Sequence, residues 1–378
     1  MGDRLRIGIM LRSLDEQGGI GVYTRYIVES LLRLERGHDF VLYYRNAANL
    51  GRYASFPRVT ERVVSIAGGK AAWDQVGIPL AIGRDDPDVL FHPKFTVPFA
   101  ARCPVVMTVH GADWFLPQYA RFYTRLDVAY IRAVMPLYFR KASAVLSVSQ
   151  ITTDDFNRIL GLPPGKVVTT YLAPGPQFRR VTDPAELERV RQRYQLPDRF
   201  IFSLSKVAGG ERKNARGLID AFRHLSQHVP HRLVIGGKDC VKFREMYDIP
   251  ETGWGASIDF PGWISQEDLP AVYSLADLFL YPSNLEAFPI PVVEAMACGV
   301  PVLTSRSNGL SEIAGDGAVQ VDANAPEAIA TEARDLLTTP SRSARVAAAG
   351  LERVRSYSWE RCARTTLEVL ERVAVSER

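Results

Sequence analysis

Short apolar runs rich in β-branched and aromatic residues alternate along this chain with segments of helical periodicity. The first series is Arg6-Ile-Gly-Ile-Met-Leu, Phe40–Tyr44, Val89–Phe91, Val105–Val109, Ala144–Val148 and Val167–Thr170, with a helix predicted over about 20–36. Continuous apolar strands separated by helices predict a parallel sheet covered on both faces. The rhythm breaks at Leu172-Ala-Pro174-Gly175-Pro176, passes through a polar, charged helix near 183–195, and restarts. The second series is Phe200–Leu204, Arg232–Ile235, Ile258–Phe260, Leu278–Tyr281, Val300–Thr304 and Ala318–Val321, and a last helix is predicted from about Trp359 to Val375. The fold class is therefore α/β: two doubly wound, parallel-sheet (Rossmann-like) domains. Placed in tandem they are expected to face a deep cleft, with ligands beyond the carboxyl ends of the strands.

At 378 residues the chain is long for one core, and with 47% hydrophobic residues both halves can bury their own. A formal charge of +4, with basic and acidic residues interspersed, does not point to nucleic acid. Cys103, Cys240, Cys298 and Cys362 lie far apart with no C-x-x-C spacing, which favours a reduced, cytoplasmic setting over a disulfide framework or zinc site. No signal-like segment or membrane-length apolar run is read from the sequence, so a soluble or peripheral protein is expected.

The most specific local signal is Glu286-Ala-Phe-Pro-Ile-Pro-Val-Val-Glu294-Ala-Met-Ala-Cys-Gly299. Pro291 suits a first helical turn and Gly299 a helix end, which sets Glu286 on the loop and Glu294 inside the helix. Carboxylates accept from hydroxyls and a helix mouth attracts anions through its free N–H groups, so the pair suits a ligand carrying both sugar and phosphate. A second signal is Ser203-Leu-Ser-Lys206-Val-Ala-Gly-Gly-Glu-Arg212-Lys213-Asn214, in which cations beside glycines can neutralise a diphosphate. After the first strand, Gly18-Gly19-Ile20-Gly21 opens a helix and lacks the dinucleotide spacing G-x-G-x-x-G. Such a loop serves a tight turn or the approach of a ligand to backbone. Thr108-Val-His110-Gly-Ala-Asp113 ends a strand with a histidine able to donate to a sugar hydroxyl or orient an acceptor.

The Glu286–Glu294 segment resembles the E-x(7)-E motif of the family-four glycosyltransferases, retaining enzymes of the GT-B fold, and the likeness continues over residues 276–305. The Arg212-Lys213-Asn214 stretch, the early glycines and the Val-His-Gly string are similar to further segments of that family. The resemblance implies three regions: 1–175 as an acceptor-side domain, 176–357 as the nucleotide-sugar domain, and 358–378 as a helix returning to the first. It implies catalytic roles for His110, Lys213 and Glu286, and donor-binding roles for Gly19, Gly21, Lys206, Arg212, Ile264, Phe288, Ile290 and Glu294. In that scheme Lys213 is the principal cation on the leaving group, supported by Arg212 and Lys206. Glu286 positions donor hydroxyls, Glu294 holds ribose, and the backbone around Ile264 holds the base. Asp113 is a weaker candidate. One departure stands out: family members usually have glycine where this chain has Pro289, which has no N–H to offer, and the N–H of Phe288 or Ile290 is the expected substitute.

The implied reaction is retaining transfer of a hexose from a nucleoside diphosphate sugar to a hydroxyl of a glycan, lipid-linked or small-molecule acceptor, with no cofactor and no metal. Likeness to mannosyltransferase-like members makes GDP-mannose the first donor to consider, then UDP-glucose and UDP-N-acetylglucosamine. Rival readings are a GT-B epimerase or phosphorylase and a non-catalytic nucleotide-sugar or glycan-binding protein. Residues 121–141 mix aromatics with cations and admit peripheral contact with the inner face of a membrane. Pro136 and the modest number of cations favour an ordinary domain helix, with aromatics inside and cations in water.

Overall fold

The computed structural model describes residues 4–16, 18–34, 36–205 and 211–377. The chain divides into two units, Met1–Leu172 with Ser358–Arg378, and Ala173–Tyr357.

The first unit carries a seven-stranded, wholly parallel sheet of β1 (Arg6–Met10), β2 (Asp39–Tyr44), β3 (Val59–Val63), β4 (Val89–His92), β5 (Val105–Val109), β6 (Ala144–Ser147) and β7 (Val167–Thr169). Its order is β3-β2-β1-β4-β5-β6-β7, so the winding reverses between β1 and β4. β4, β5 and β6 are buried at every position, which is why they read as largely apolar runs. β3 was not among the predicted strands. Its residues Val-Thr-Glu-Arg-Val are half-exposed or exposed at the sheet edge, and an alternating, charged strand carries none of that apolar continuity. The last helix, Trp359–Ser376, belongs to this unit: Trp359 packs on Tyr26 and Tyr23 with ring centroids 5.2 and 6.1 Å apart, and Glu371 meets His38 at 2.9 Å.

The second unit repeats the plan with six parallel strands: β8 (Phe200–Leu204), β9 (Arg232–Gly236), β10 (Ile258–Gly262), β11 (Leu278–Tyr281), β12 (Val302–Ser305) and β13 (Val319–Val321). The order β10-β9-β8-β11-β12-β13 reverses between β8 and β11. Apolar cores lie on both faces of this sheet: Phe200, Phe202 and Phe279 point to one, Ile201, Leu278 and Leu280 to the other. A reversal of winding opens a crevice at the carboxyl ends of the two central strands, where the connecting loops part company. In this unit those loops are the one after β8, carrying Arg212 and Lys213, and the one after β11, carrying Glu286.

Candidate active site

Two loops far apart in sequence are laced together at the reversal point of the second unit. Asn214, in the left-handed conformation at φ 55°, caps the helix Ala215–Leu225 by accepting from the Gly217 N–H at 3.2 Å. Its amide nitrogen donates to the carbonyls of Pro282 and Ala323 at 3.0 and 2.7 Å, tying the loop after β8 to those after β11 and β13. From the other side the Asn284 N–H donates to the Arg212 carbonyl at 3.0 Å, as does the Ser283 hydroxyl at 3.1 Å. Lys206 lies outside the described residues.

This lacing sets two cations on one carboxylate. Glu286 is 7% exposed; Lys213 and the hydroxyls of Tyr281 (2.8 Å) and Ser283 (3.1 Å) donate to its Oε1, and Arg212 reaches Oε2 at 3.3 Å. Burial alone raises its pKa, but the Lys213 and Arg212 charges and these hydrogen bonds outweigh burial and hold it at about 2. Glu286 is thus a fixed anion over the whole physiological range. Lys213 also lies 5.1 Å from the Tyr281 ring centroid. Tyr281 and Ser283, which sequence reasoning left without a role, share Oε1 with Lys213. Tyr281-Pro-Ser283 stands directly before the glutamate loop, so the signal was present but needed the strand's end to be located.

Glu294 behaves in the opposite way. It sits in the helix Ile290–Ala297, 4% exposed, accepts from the Tyr273 hydroxyl at 3.4 Å, and burial pushes its pKa up to about 8. The folded state therefore keeps a proton that the unfolded chain, with its ordinary pKa of 4.5, has already lost. Stability from this group is complete below about pH 4.5 and is lost as pH rises through about 8, at up to about 1.4 kcal/mol per pH unit. Glu294→Gln, uncharged throughout, is expected to flatten that decline. Thermal melts of both proteins at about pH 5 and about pH 8 test this, and parallel declines would refute the assignment.

The start of this helix corrects one expectation. Pro289, at φ −81° and ψ 79°, forms an inverse γ-turn, and the Ile290 N–H closes it by donating to the Phe288 carbonyl at 3.0 Å. Pro291 has no N–H, and those of Val292 and Val293 turn to the Pro289 carbonyl at 3.0 and 3.4 Å. The helix mouth was expected to offer free N–H groups to an anion. Proline chemistry and the γ-turn occupy them, and of the two substitutes expected, Ile290 is engaged while Phe288 keeps its N–H. The Phe288 ring packs edge-on against Tyr357 at 5.6 Å. Gly309 underpins the Glu286 loop: its N–H donates to the Glu286 carbonyl at 3.0 Å. Ile264, 3% exposed, points into the core, so its side chain is not free to meet a ligand.

In the first unit, Gly19 begins the helix Gly19–Arg33 behind Gly18 at φ 115°, which has no side chain with which to cap it. A Cβ on Gly21 would lie 1.8 Å from the Glu16 carbonyl, so glycine there is demanded by chain packing. His110, after β5, directs Nε2 at the Pro93 carbonyl, 3.0 Å away, and its ring meets Tyr23 edge-on at 4.9 Å. Burial lowers its pKa to about 4, against the small opposing effect of that hydrogen bond. A carbonyl only accepts, so the proton is on Nε2 and Nδ1 carries a lone pair. The expectation that His110 donates to a sugar is reversed: it can accept from a hydroxyl. Asp113 accepts from the Tyr123 hydroxyl at 2.7 Å.

Two Rossmann-like units with wholly parallel sheets, the second bearing a cation and carboxylate cluster at its reversal point, define a GT-B architecture. A solved glycosyltransferase from Rickettsia africae ESF-5 shares it, with a TM-score of 0.76 at 16% identity over 98% of this chain and 99% of that one. The family model for Glycosyltransferase Family 4 matches residues 17–173, and that for Glycosyl transferases group 1 matches 187–353. The O-antigen chain mannosyltransferase B of Escherichia coli is 29% identical over 377 residues, covering 92% of this chain and 94% of that protein. A GDP-mannose-dependent alpha-(1-6)-phosphatidylinositol monomannoside mannosyltransferase of Mycolicibacterium smegmatis is 34% identical over 229 residues, covering 55% of this chain and just over half, 56%, of its own. The chain belongs to the family-four glycosyltransferases and is mannosyltransferase-like. No helix among the described residues is long and apolar enough to cross a membrane.

Proposed function

We propose that the protein is a retaining, metal-independent mannosyltransferase that takes its sugar from GDP-mannose and adds it to a glycan or lipid-linked acceptor. The observation that carries this reading is the cluster of Lys213 and Arg212 on the permanently ionised Glu286. A donor diphosphate entering beside it meets two cations held in place by protein dipoles before the reaction begins. As the bond from the anomeric carbon to the phosphate oxygen breaks, the acceptor oxygen bonds to that carbon on the same face. The acceptor proton passes to the departing phosphate, and the cations stabilise the charge the leaving group gains. Glu286 accepts from donor hydroxyls, while the protonated carboxyl of Glu294 offers a donor and an acceptor to a ribose diol. The Phe288 N–H is the backbone donor left beside Pro289, and His110 accepts from a substrate hydroxyl. Mannose and guanosine are supported by the names of the relatives.

An ionised and a protonated glutamate would also suit a glycosidase. Against that reading, Glu286 is charge-paired with Lys213 and Arg212 and accepts from the Tyr281 and Ser283 hydroxyls, which blunts it as a nucleophile.

Thermal melts with GDP-mannose, UDP-glucose and UDP-N-acetylglucosamine test the donor, because a ligand bound only by the folded state raises the melting temperature. GDP-mannose is expected to give the largest rise, and EDTA to leave transfer unchanged. NMR of the product is expected to find the anomeric configuration of the donor. A larger rise with a UDP-sugar would overturn the donor assignment, and an inverted product the mechanism. Consumption of donor with no acceptor present would point to an epimerase instead.

A further inference from the structure

The contacts that hold His110 begin on the last helix, Trp359–Ser376. Trp359, 8% exposed, opens that helix, and Ser358 caps it by accepting from the Arg361 N–H at 3.4 Å. The Trp359 indole packs on Tyr23 and Tyr26, which stand three positions apart on the helix Gly19–Arg33 and so share one face of it. Tyr23 has no exposed surface. Its ring centroid lies 6.1 Å from the indole and 4.9 Å from the His110 imidazole, which it meets edge to face at 77°. Its hydroxyl pairs at 3.1 Å with that of Thr108, a residue of β5 two positions before His110. Tyr23 thus grips this end of β5 at two points, one polar and one aromatic.

Among the described residues the imidazole makes one hydrogen bond, from Nε2 to the Pro93 carbonyl. That bond fixes one atom of the ring. The torsion that turns an imidazole about its own axis is broad, so a ring held at one nitrogen still pivots and carries its other nitrogen to a new place. The edge-to-face contact resists the pivot, because aromatic pairs prefer such arrangements to others at the same separation. Tyr23 also covers part of the imidazole. Burial is the largest influence on this histidine, and the charged groups acting on it oppose one another: Lys94 lowers its pKa, Glu16 raises it, and the two are paired together.

We infer that Tyr23 is a positioning residue for transfer and that Trp359 supports it: together they fix the plane of the His110 imidazole so that Nδ1 meets a substrate hydroxyl. The last helix therefore contributes to the reaction as well as to the fold of the first unit. This rests on the reading of His110 as an acceptor from a hydroxyl.

The test is NMR of protein labelled in its histidines, with the His110 signals assigned from their absence in His110→Gln, beside turnover with the donor identified by thermal melts. In the wild type the ring is expected in one neutral form, protonated on Nε2 and titrating near pH 4. Tyr23→Leu should bring exchange between the two tautomers and a pKa closer to the ordinary 6.5. Its turnover should drop on the order of 10²-fold, the loss from a group about 1 Å out of place. That turnover should fall further on acidification from about pH 6.5 towards 4, where protonation removes the Nδ1 lone pair. The rise in melting temperature with donor should persist. Tyr23→Phe keeps the ring and gives up only the Thr108 bond, so tautomer, pKa and turnover should stay near wild type. Trp359→Leu should shift His110 in the same direction as Tyr23→Leu and lower turnover by up to about tenfold. Unchanged His110 signals in Tyr23→Leu overturn the positioning role, as does an equal loss in Tyr23→Phe. Should Tyr23→Leu fail to fold, unchanged signals in Trp359→Leu overturn it. An altered His110 with wild-type turnover overturns instead the part given to His110 in the reaction, and the positioning role falls with it.

Discussion

Lys213→Ala is expected to lower the rate of transfer by about 10²–10³-fold, the usual loss when one preorganised donor to a developing negative charge is removed. The reason lies in where the cation is held. Lys213 is fixed by Glu286 and the Tyr281 hydroxyl, on a loop that Asn214 pins to two neighbouring strand ends. A leaving diphosphate therefore meets a charge that has no need to reorganise. The fold should survive the substitution, because Arg212, Tyr281 and Ser283 still satisfy Glu286. The pKa of Glu286 should rise from about 2 as one of its two cations disappears. Turnover with the donor identified by thermal melts, alongside the melting temperature, checks both halves. A variant that melts normally and transfers at the wild-type rate would remove Lys213 from the mechanism.

Gly309→Ala should damage the same site from behind. A Cβ there would lie 2.1 Å from the Ala287 carbonyl oxygen and 2.6 Å from that of Glu286, both main-chain atoms with nothing flexible to yield. The loop carrying Glu286 has to move, and its hydrogen bond from the Gly309 N–H has to lengthen. Overpacking of this kind costs about 1–3 kcal/mol of stability. A catalytic group displaced by about 1 Å costs on the order of 10²-fold in rate. The expected result is a lowered melting temperature with a larger proportional loss of turnover than of donor binding. Wild-type turnover in this variant would mean that the position of the Glu286 loop is not critical to the reaction.

The parts of the fold that were legible in advance share one property. β4, β5, β6, β11 and β12 are buried on both faces, and a strand with no solvent side is predominantly apolar. β3 escaped because an edge strand with water beside it has no such requirement. The candidate site divides in the same way. Glu286, Glu294, Arg212 and Lys213 were readable because each sits in a short contiguous string whose spacing is set by one loop and one helix. Tyr281, Ser283 and Gly309 were not, because their importance comes from what they touch.

Local sequence, then, determined the α/β class, the doubling of the sheet motif and the cation and carboxylate strings of the candidate site, since strand burial and loop-to-helix spacing are properties of neighbouring positions. Tertiary structure alone decided their chemical states. Two glutamates eight positions apart in sequence differ because Glu286 is brought beside cations from a distant loop while burial dominates at Glu294. His110 carries its lone pair on Nδ1 because a carbonyl from another loop takes its proton-bearing side. Protonation and hydrogen-bond direction depend on partners that only the folded chain assembles, and these set what the site can do.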